Sequence, residues 1–231
     1  MRALHLHNYK MKYLLHIDTA TDTGIVAISA DGILIASRIN AETRNHAGTI
    51  NNMINAVLDE AKITLQVIDA IVVCAGPGSY TGLRIGLATA KGLCYSLNKP
   101  LLLDNRLTLL AYQHYIQGPD IPQTYISLLI AREKEYFISI YDKNFSCTLQ
   151  PQHIIEKQLK NFIEGENIQI ITNASEAVIN DLNISYLKIN NNININIASW
   201  LLYAFEQYNR NNIVNLSTAE PFYLKQVYTH N

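Results

Sequence analysis

The chain has 231 residues, 18 Lys and Arg against 19 Asp and Glu, a formal net charge of -1 and a hydrophobic fraction of 48%. That length suits one large domain or two small ones sharing a cleft. The charge balance argues against unaided grip on a folded RNA, which needs a basic excess to neutralise phosphates. No apolar run approaches the ~20 residues that span a bilayer, so no membrane association is expected.

Residues 1–10 hold Arg2 and Lys10 but no apolar core and no cleavage pattern, so they do not read as a signal peptide. With Met11 directly before the first strand pattern they read as an extension, in which His5 and His7 bind nothing. Residues 13–18 read as a strand ending at a polar turn, 19–22, and residues 24–28 as a second strand. Asp31-Gly32 marks a tight hairpin, because both central residues of such a turn need positive φ. A third strand over 33–39 completes an antiparallel meander. The period then changes: Ile50, Met53, Ile54, Val57, Leu58 and Ala61 recur at three and four, the mark of an amphipathic helix. The apolar, β-branched run 70–75 suits a strand buried on both faces. A glycine-rich loop over 76–82, a helix over 83–97 and a short strand over 100–103 follow.

The order β-β-β-α-β-α-β predicts a mixed sheet covered by helices, the ribonuclease-H-like arrangement that actin-like proteins contain twice. The second half repeats it less cleanly. A helix over 107–116 ends at Gly118-Pro119, and residues 125–131 and 136–141 form a hairpin around Glu133-Lys134. Residues 154–163 read as helix, 168–171 as strand and 174–181 as a short helix. Asn190, Asn191, Asn192, Asn194 and Asn196 read as a loop, since Asn favours turns, with a helix over 198–208 behind it. The expected division is one lobe over 11–104, a degenerate lobe over 105–212, and a tail, 213–231, packed back on the first lobe.

Cys74, Cys94 and Cys147 form no CxxC pair, and the first two lie in apolar segments where a thiol acts as a small hydrophobe. A reducing, cytoplasmic setting is expected.

Gly76-Pro77-Gly78-Ser79-Tyr80-Thr81-Gly82-Leu83-Arg84-Ile85-Gly86 is the informative stretch. A glycine-rich turn before a helix can cradle phosphate through free N–H groups. Here the spacing fits neither GxGxxG nor GxxxxGK[ST], no P-loop lysine is present, and Pro77 removes a donor. A tight loop with Ser79 or Thr81 capping the helix is the favoured reading. The helix beyond has two apolar stripes. Leu83, Leu87, Ala90, Cys94 and Leu97 form one; Gly82, Gly86, Ala90 and Leu93 form a second, of mostly small residues. A helix apolar on two faces needs two covers. One is its own sheet; the other is either a neighbouring helix of the chain or a partner.

This stretch resembles the signature of the bacterial TsaB family, accessory subunits for threonylcarbamoyladenosine modification of tRNA. Leu15-His16-Ile17-Asp18-Thr19, Arg44-Asn45-His46-Ala47, Leu107-Thr108-Leu109-Leu110-Ala111 and Pro221-Phe222-Tyr223-Leu224-Lys225 resemble other family segments. The resemblance implies a two-lobed α/β actin-like fold, no cofactor on this chain, and ATP and metal on its partners. Those partners would be a catalytic TsaD-type subunit and a TsaE-type ATPase, with tRNA met indirectly and a homodimer when alone. It further implies that the first two helices form the docking contact. That assigns the interface to His46, Ile50, Met53, Ile54, Val57, Gly82, Leu83, Gly86, Leu87, Ala90 and Leu93. On this view Gly86→Arg or Ala90→Glu would abolish dimerisation with little loss of folding.

Competing chemistry is thinly supported. The seven histidines offer neither HxxxH nor HExxH, so a metallopeptidase reading lacks its ligands. His46 reads as a helix-start or interface residue. An actin-like ATPase would use an acid and small hydroxyls after the first strand, and Asp18, Thr19 and Thr21 would suit a vestigial nucleotide site. Its second acid is missing: where the family commonly shows Asp-Ala-Arg-Arg, this chain has Ile130-Ala131-Arg132-Glu133. An isoleucine cannot hold Mg²⁺, which takes oxygen ligands.

Overall fold

The structure, a computed structural model, describes residues 10–40, 45–117, 121–184 and 186–223. His5, His7, Arg44, Gly118, Pro119, Leu224 and Lys225, discussed above, lie outside the described residues. Five strands build the first sheet: β1 (Tyr13–Asp18), β2 (Gly24–Ala30), β3 (Ile33–Asn40), β4 (Ile68–Cys74) and β5 (Leu101–Asp104), in the order β3-β2-β1-β4-β5. The β2–β3 turn uses Asp31 at φ 50 and Gly32 at φ 80, the left-handed pair that the hairpin signal requires. Helices α1 (His46–Ala61) and α2 (Tyr80–Leu97) make the crossovers, and α3 (Arg106–Tyr115) leads to the second sheet.

That sheet contains β6 (Thr124–Arg132), β7 (Glu135–Asp142), β8 (Cys147–Ile155), β9 (Ile168–Thr172) and β10 (Leu187–Asn190), in the order β10-β9-β6-β7-β8. In both sheets the first strand pairs antiparallel with the second and parallel with the fourth, and the fourth pairs parallel with the fifth. The ribonuclease-H-like unit therefore occurs twice, and the chain has the two-lobed α/β actin-like architecture. Short helices α4 (Leu159–Phe162) and α5 (Glu176–Asn180) serve the second unit, and α6 (Ile197–Asn209) follows it.

β4 shows why its sequence is apolar without alternation. Ile71 and Val73 pack with Ile50, Ile54, Val57, Leu87 and Ala90 of α1 and α2. Ala70, Val72 and Cys74 face the other way, against Leu109, Trp200 and Ala204. Burial on both sides leaves no polar position along the strand. Beyond α6 the chain returns to this unit. Val214 donates to the Leu101 carbonyl at 3.0 Å and Phe222 to that of Ala75 at 2.9 Å, while Ala219 joins the core beside α2.

The helix expected over 154–163 is a correction. Residues up to Ile155 belong to β8, where Tyr136 pairs with Ile154 and Phe137 with His153. A 3-10 turn, Glu156–Gln158, and the single turn of α4 follow. Pairing with β7 overrides the local pattern, and Pro151 is tolerated because β8 is an edge strand. The asparagine run acts as a chain of side-chain turns. Asn190 Oδ1 accepts from Asn192 N–H, Asn192 Oδ1 from Asn194 N–H, and Asn196 Oδ1 from Ser199 N–H to cap α6.

Candidate functional site

The loop 76–79 and the first turns of α2 dock on the turn between β1 and β2. Ser79 caps α2, its Oγ accepting from Gly82 N–H at 3.3 Å, and its own N–H donates to the Ala20 carbonyl at 2.7 Å. A Cβ at Gly78 would lie 2.2 Å from that same Ala20 oxygen, and one at Gly82 would lie 1.9 Å from the Thr19 oxygen. Thr19 Oγ1 donates to the Gly82 carbonyl at 2.7 Å and would be 2.4 Å from a Cβ at Gly86. The glycines thus let two pieces of the chain's own backbone touch. The N–H groups of Ser79, Gly82 and Leu83 are spent on Ala20 and Ser79, which removes them from any phosphate cradle.

Most residues of the interface drawn from the sequence are covered by the chain itself. His46, Ile50, Ile54, Val57, Gly82, Leu83, Gly86, Leu87 and Ala90 are all buried within the chain itself. Met53 and Leu93 are part-buried against the same core. The stripe Gly82, Gly86, Ala90 faces β1, so Gly86→Arg would strike Thr19 and the fold before any partner. The outward face of α2 is turned from that stripe: Thr81, Arg84, Ala88, Gly92 and Tyr95 are exposed, with Ile85 and Thr89 half-buried. A Cβ at Gly92 would meet nothing within 4 Å. Asn52 of α1 is exposed and Met53 and Ala56 are half-buried.

His46 is pinned as a helix-start residue. Its Nε2–H donates to the Thr21 carbonyl at 2.7 Å, and its Nδ1 would lie 3.0 Å from a Cβ at Gly24. A cavity of ≈ 420 Å³ opens over Thr21, Asp22, His46, Ser79, Thr81, Gly82 and Ile85. The structure thereby brings together residues that the sequence separates by some sixty positions. Asp18 lies buried beneath the turn. Its Oδ1 accepts from Ala20 N–H at 2.8 Å and its Oδ2 lies 3.7 Å from Arg106 Nη1. Burial pushes the Asp18 carboxyl up, and the Arg106 guanidinium opposes that shift. Arg106 is held in turn, its N–H donating to Gly76 and Nη2 to Ile193, both at 2.7 Å.

Two participants escaped the sequence reading. Arg106 starts α3, where it reads as an ordinary exposed helix cation; only its burial reveals a counterion. Tyr223, quoted above only within its tail segment, lies outside helix and strand, yet it joins the signature loop. Arg84 Nε donates to Tyr223 Oη at 3.0 Å, the Arg84 guanidinium stands 4.1 Å over the Tyr80 ring, and the two tyrosine rings are 5.4 Å apart. Ile130, at the place of the missing second acid, is exposed near the tip of the β6–β7 hairpin. Among the described residues no group of three His, Cys, Asp or Glu is placed to hold a metal, and no helix is long and apolar enough to cross a membrane.

A family model described as TsaD, tRNA N6-adenosine threonylcarbamoyltransferase, matches residues 34–189. The tRNA N6-adenosine threonylcarbamoyltransferase of Kosmotoga olearia is 30% identical over 133 residues, covering 51% of this chain and 40% of that protein. That of Clostridium kluyveri is 29% identical over 145 residues, covering 56% and 42%. The match thus spans about two-fifths of these relatives' length. Among solved structures, YeaZ from Pseudomonas aeruginosa aligns with a TM-score of 0.76 at 22% identity, over 93% of this chain and 100% of that one. A second structure, described as an uncharacterized protein with similarity to peptidase YEAZ from the same organism, gives 0.75 at 22% over the same shares.

Proposed function

The chain belongs to the tRNA N6-adenosine threonylcarbamoyltransferase (TsaD) family, and we propose that within it the chain is an accessory, TsaB-type subunit. It binds and activates a catalytic TsaD-type partner, with a TsaE-type ATPase completing the complex, and turns nothing over alone. The observation that carries this reading is the state of Asp18. The acid that an actin-like ATPase would offer to a metal–nucleotide pair is instead buried against Arg106. Ile130 stands where the opposing acid would be needed. What the molecule offers instead is surface: the outward face of α2, small at Ala88 and Gly92, beside Met53 and Ala56 of α1. Small residues let another helix approach closely, so a helix pair is its natural occupant. The same face would serve a homodimer in the partner's absence.

Calorimetry tests the proposal. ATP with Mg²⁺ is titrated into the isolated protein, then the purified TsaD-type subunit. Saturable heat is expected only for the second titration, and threonylcarbamoyl transfer only when the subunits are mixed. Tight ATP binding without a partner would favour the ATPase reading instead.

A further inference from the structure

A cavity of ≈ 550 Å³ lies at the open edge of the first sheet, away from Asp18 and from the α1–α2 face, within the range of small-molecule sites. β5 and α3 line it through Leu102, Leu103, Asp104, Asn105 and Thr108, and β8, α6 and the returning chain close it. Asp104 is only 2% exposed. Its Oδ2 accepts from Trp200 Nε1–H at 2.8 Å, while Oδ1 has no hydrogen-bond partner among the described residues. That oxygen keeps its acceptor capacity unused by the chain. Here it belongs to a residue that lines an open cavity, where a ligand can supply the donor.

The remaining lining narrows the ligand class. Asn105 spends its side-chain oxygen on Leu107 N–H, at 2.9 Å, which leaves its NH₂ group as a donor. The Tyr203 hydroxyl is kept protonated by burial and by the neighbouring Asp104 charge, and is a second donor. An acceptor beside donors complements a ligand edge with one N–H next to one ring nitrogen. Tyr203, Phe222 and Pro151 supply flat apolar walls. No Lys, Arg or His occurs among the described lining residues, so an anionic group would find no counterion. We propose that this cavity is a binding site for an uncharged heteroaromatic ligand with an amidine edge, the adenine nucleoside class, held through Asp104 Oδ1. The site is independent of the partner-binding reading.

Trp200, the chain's one tryptophan, touches Asp104 and reports occupancy directly. Adenosine is titrated into the full chain at pH 7.5, with Trp200 emission excited at 295 nm and binding heat measured in parallel. Saturable binding is expected, at least tenfold weaker for adenosine monophosphate, whose phosphate finds no cation. Asp104→Asn, which keeps an acceptor for Trp200 but turns an NH₂ toward the cavity, is expected to weaken adenosine at least tenfold. Gln150→Phe, at an exposed position on the rim, obstructs the cavity without touching the core and is expected to do the same. Absence of saturation at millimolar adenosine, or equal affinity in wild type and both folded variants, would overturn the site.

Discussion

His16 and Asp104 both touch Trp200 and below pH 6 are both held in their neutral forms, with opposite consequences for stability. His16 is fully buried, bonded to Ser29 at 3.0 Å and edge-on to the Trp200 ring at 5.2 Å; burial pushes it down to about 3. Burial pushes Asp104 up to about 7, the Trp200 N–H opposing. Between pH 4.5 and 6.0 the unfolded chain carries a proton on the histidine and none on the aspartate. The folded chain carries one on the aspartate and none on the histidine. Proton counts match, so this pair imparts no slope to stability across that window. Single substitutions unmask each half. In Asp104→Asn only His16 remains. The unfolded state then binds more protons, and stability rises with pH by ~1.4 kcal/mol per unit, about 2 kcal/mol over the window. In His16→Gln only Asp104 remains, the folded state binds more protons, and stability falls by about 2 kcal/mol over the same range. Urea denaturation of both variants and wild type, followed by Trp200 emission, measures the differences, in which all other titrating groups cancel. Variant-minus-wild-type differences that stay flat, or tilt the same way, would refute the assignment of neutral forms.

The glycines of α2 divide sharply by position. Gly82→Ala forces a backbone shift of more than an ångström against the Thr19 carbonyl and should cost about 3 kcal/mol, whereas Gly92→Ala meets open space and should gain ~1 kcal/mol of helix propensity; thermal melts of the two compare them. Ala88→Arg, on the outward face, should leave the melting temperature within a degree or two and abolish the partner's binding heat; undiminished partner affinity would move the contact elsewhere. Arg106→Met strips the buried Asp18 of its counterion and should cost about 3–5 kcal/mol, and adding Asp18→Asn should restore part of that loss by removing the orphaned charge, as chemical denaturation would show.

The first unit was legible because its signals are local. Period-two strands, the Asp31-Gly32 turn and the three-four spacing of α1 each lie within a short window and agree with the tertiary result. β8 was not, because its residues carry a proline and mixed polarity and become a strand only through β7. The signature loop was found from its glycines, and Ser79 caps α2 as one of the two candidates named for that role. Sequence shows that Gly82 and Gly86 share a helical face; it does not show whether that face meets a neighbour or the chain itself.

The linear order of residues thus determined the elements of the first unit and the duplicated α/β plan, since periodicity and turn chemistry act between near neighbours. Tertiary structure alone decided which groups are paid for by which partners. Arg106 meets Asp18 across 88 positions, and Trp200 meets Asp104 across 96. Such pairs arise from how two sheets and a returning tail enclose one another. Desolvation then fixes their protonation and charge, and no local window of sequence contains that information.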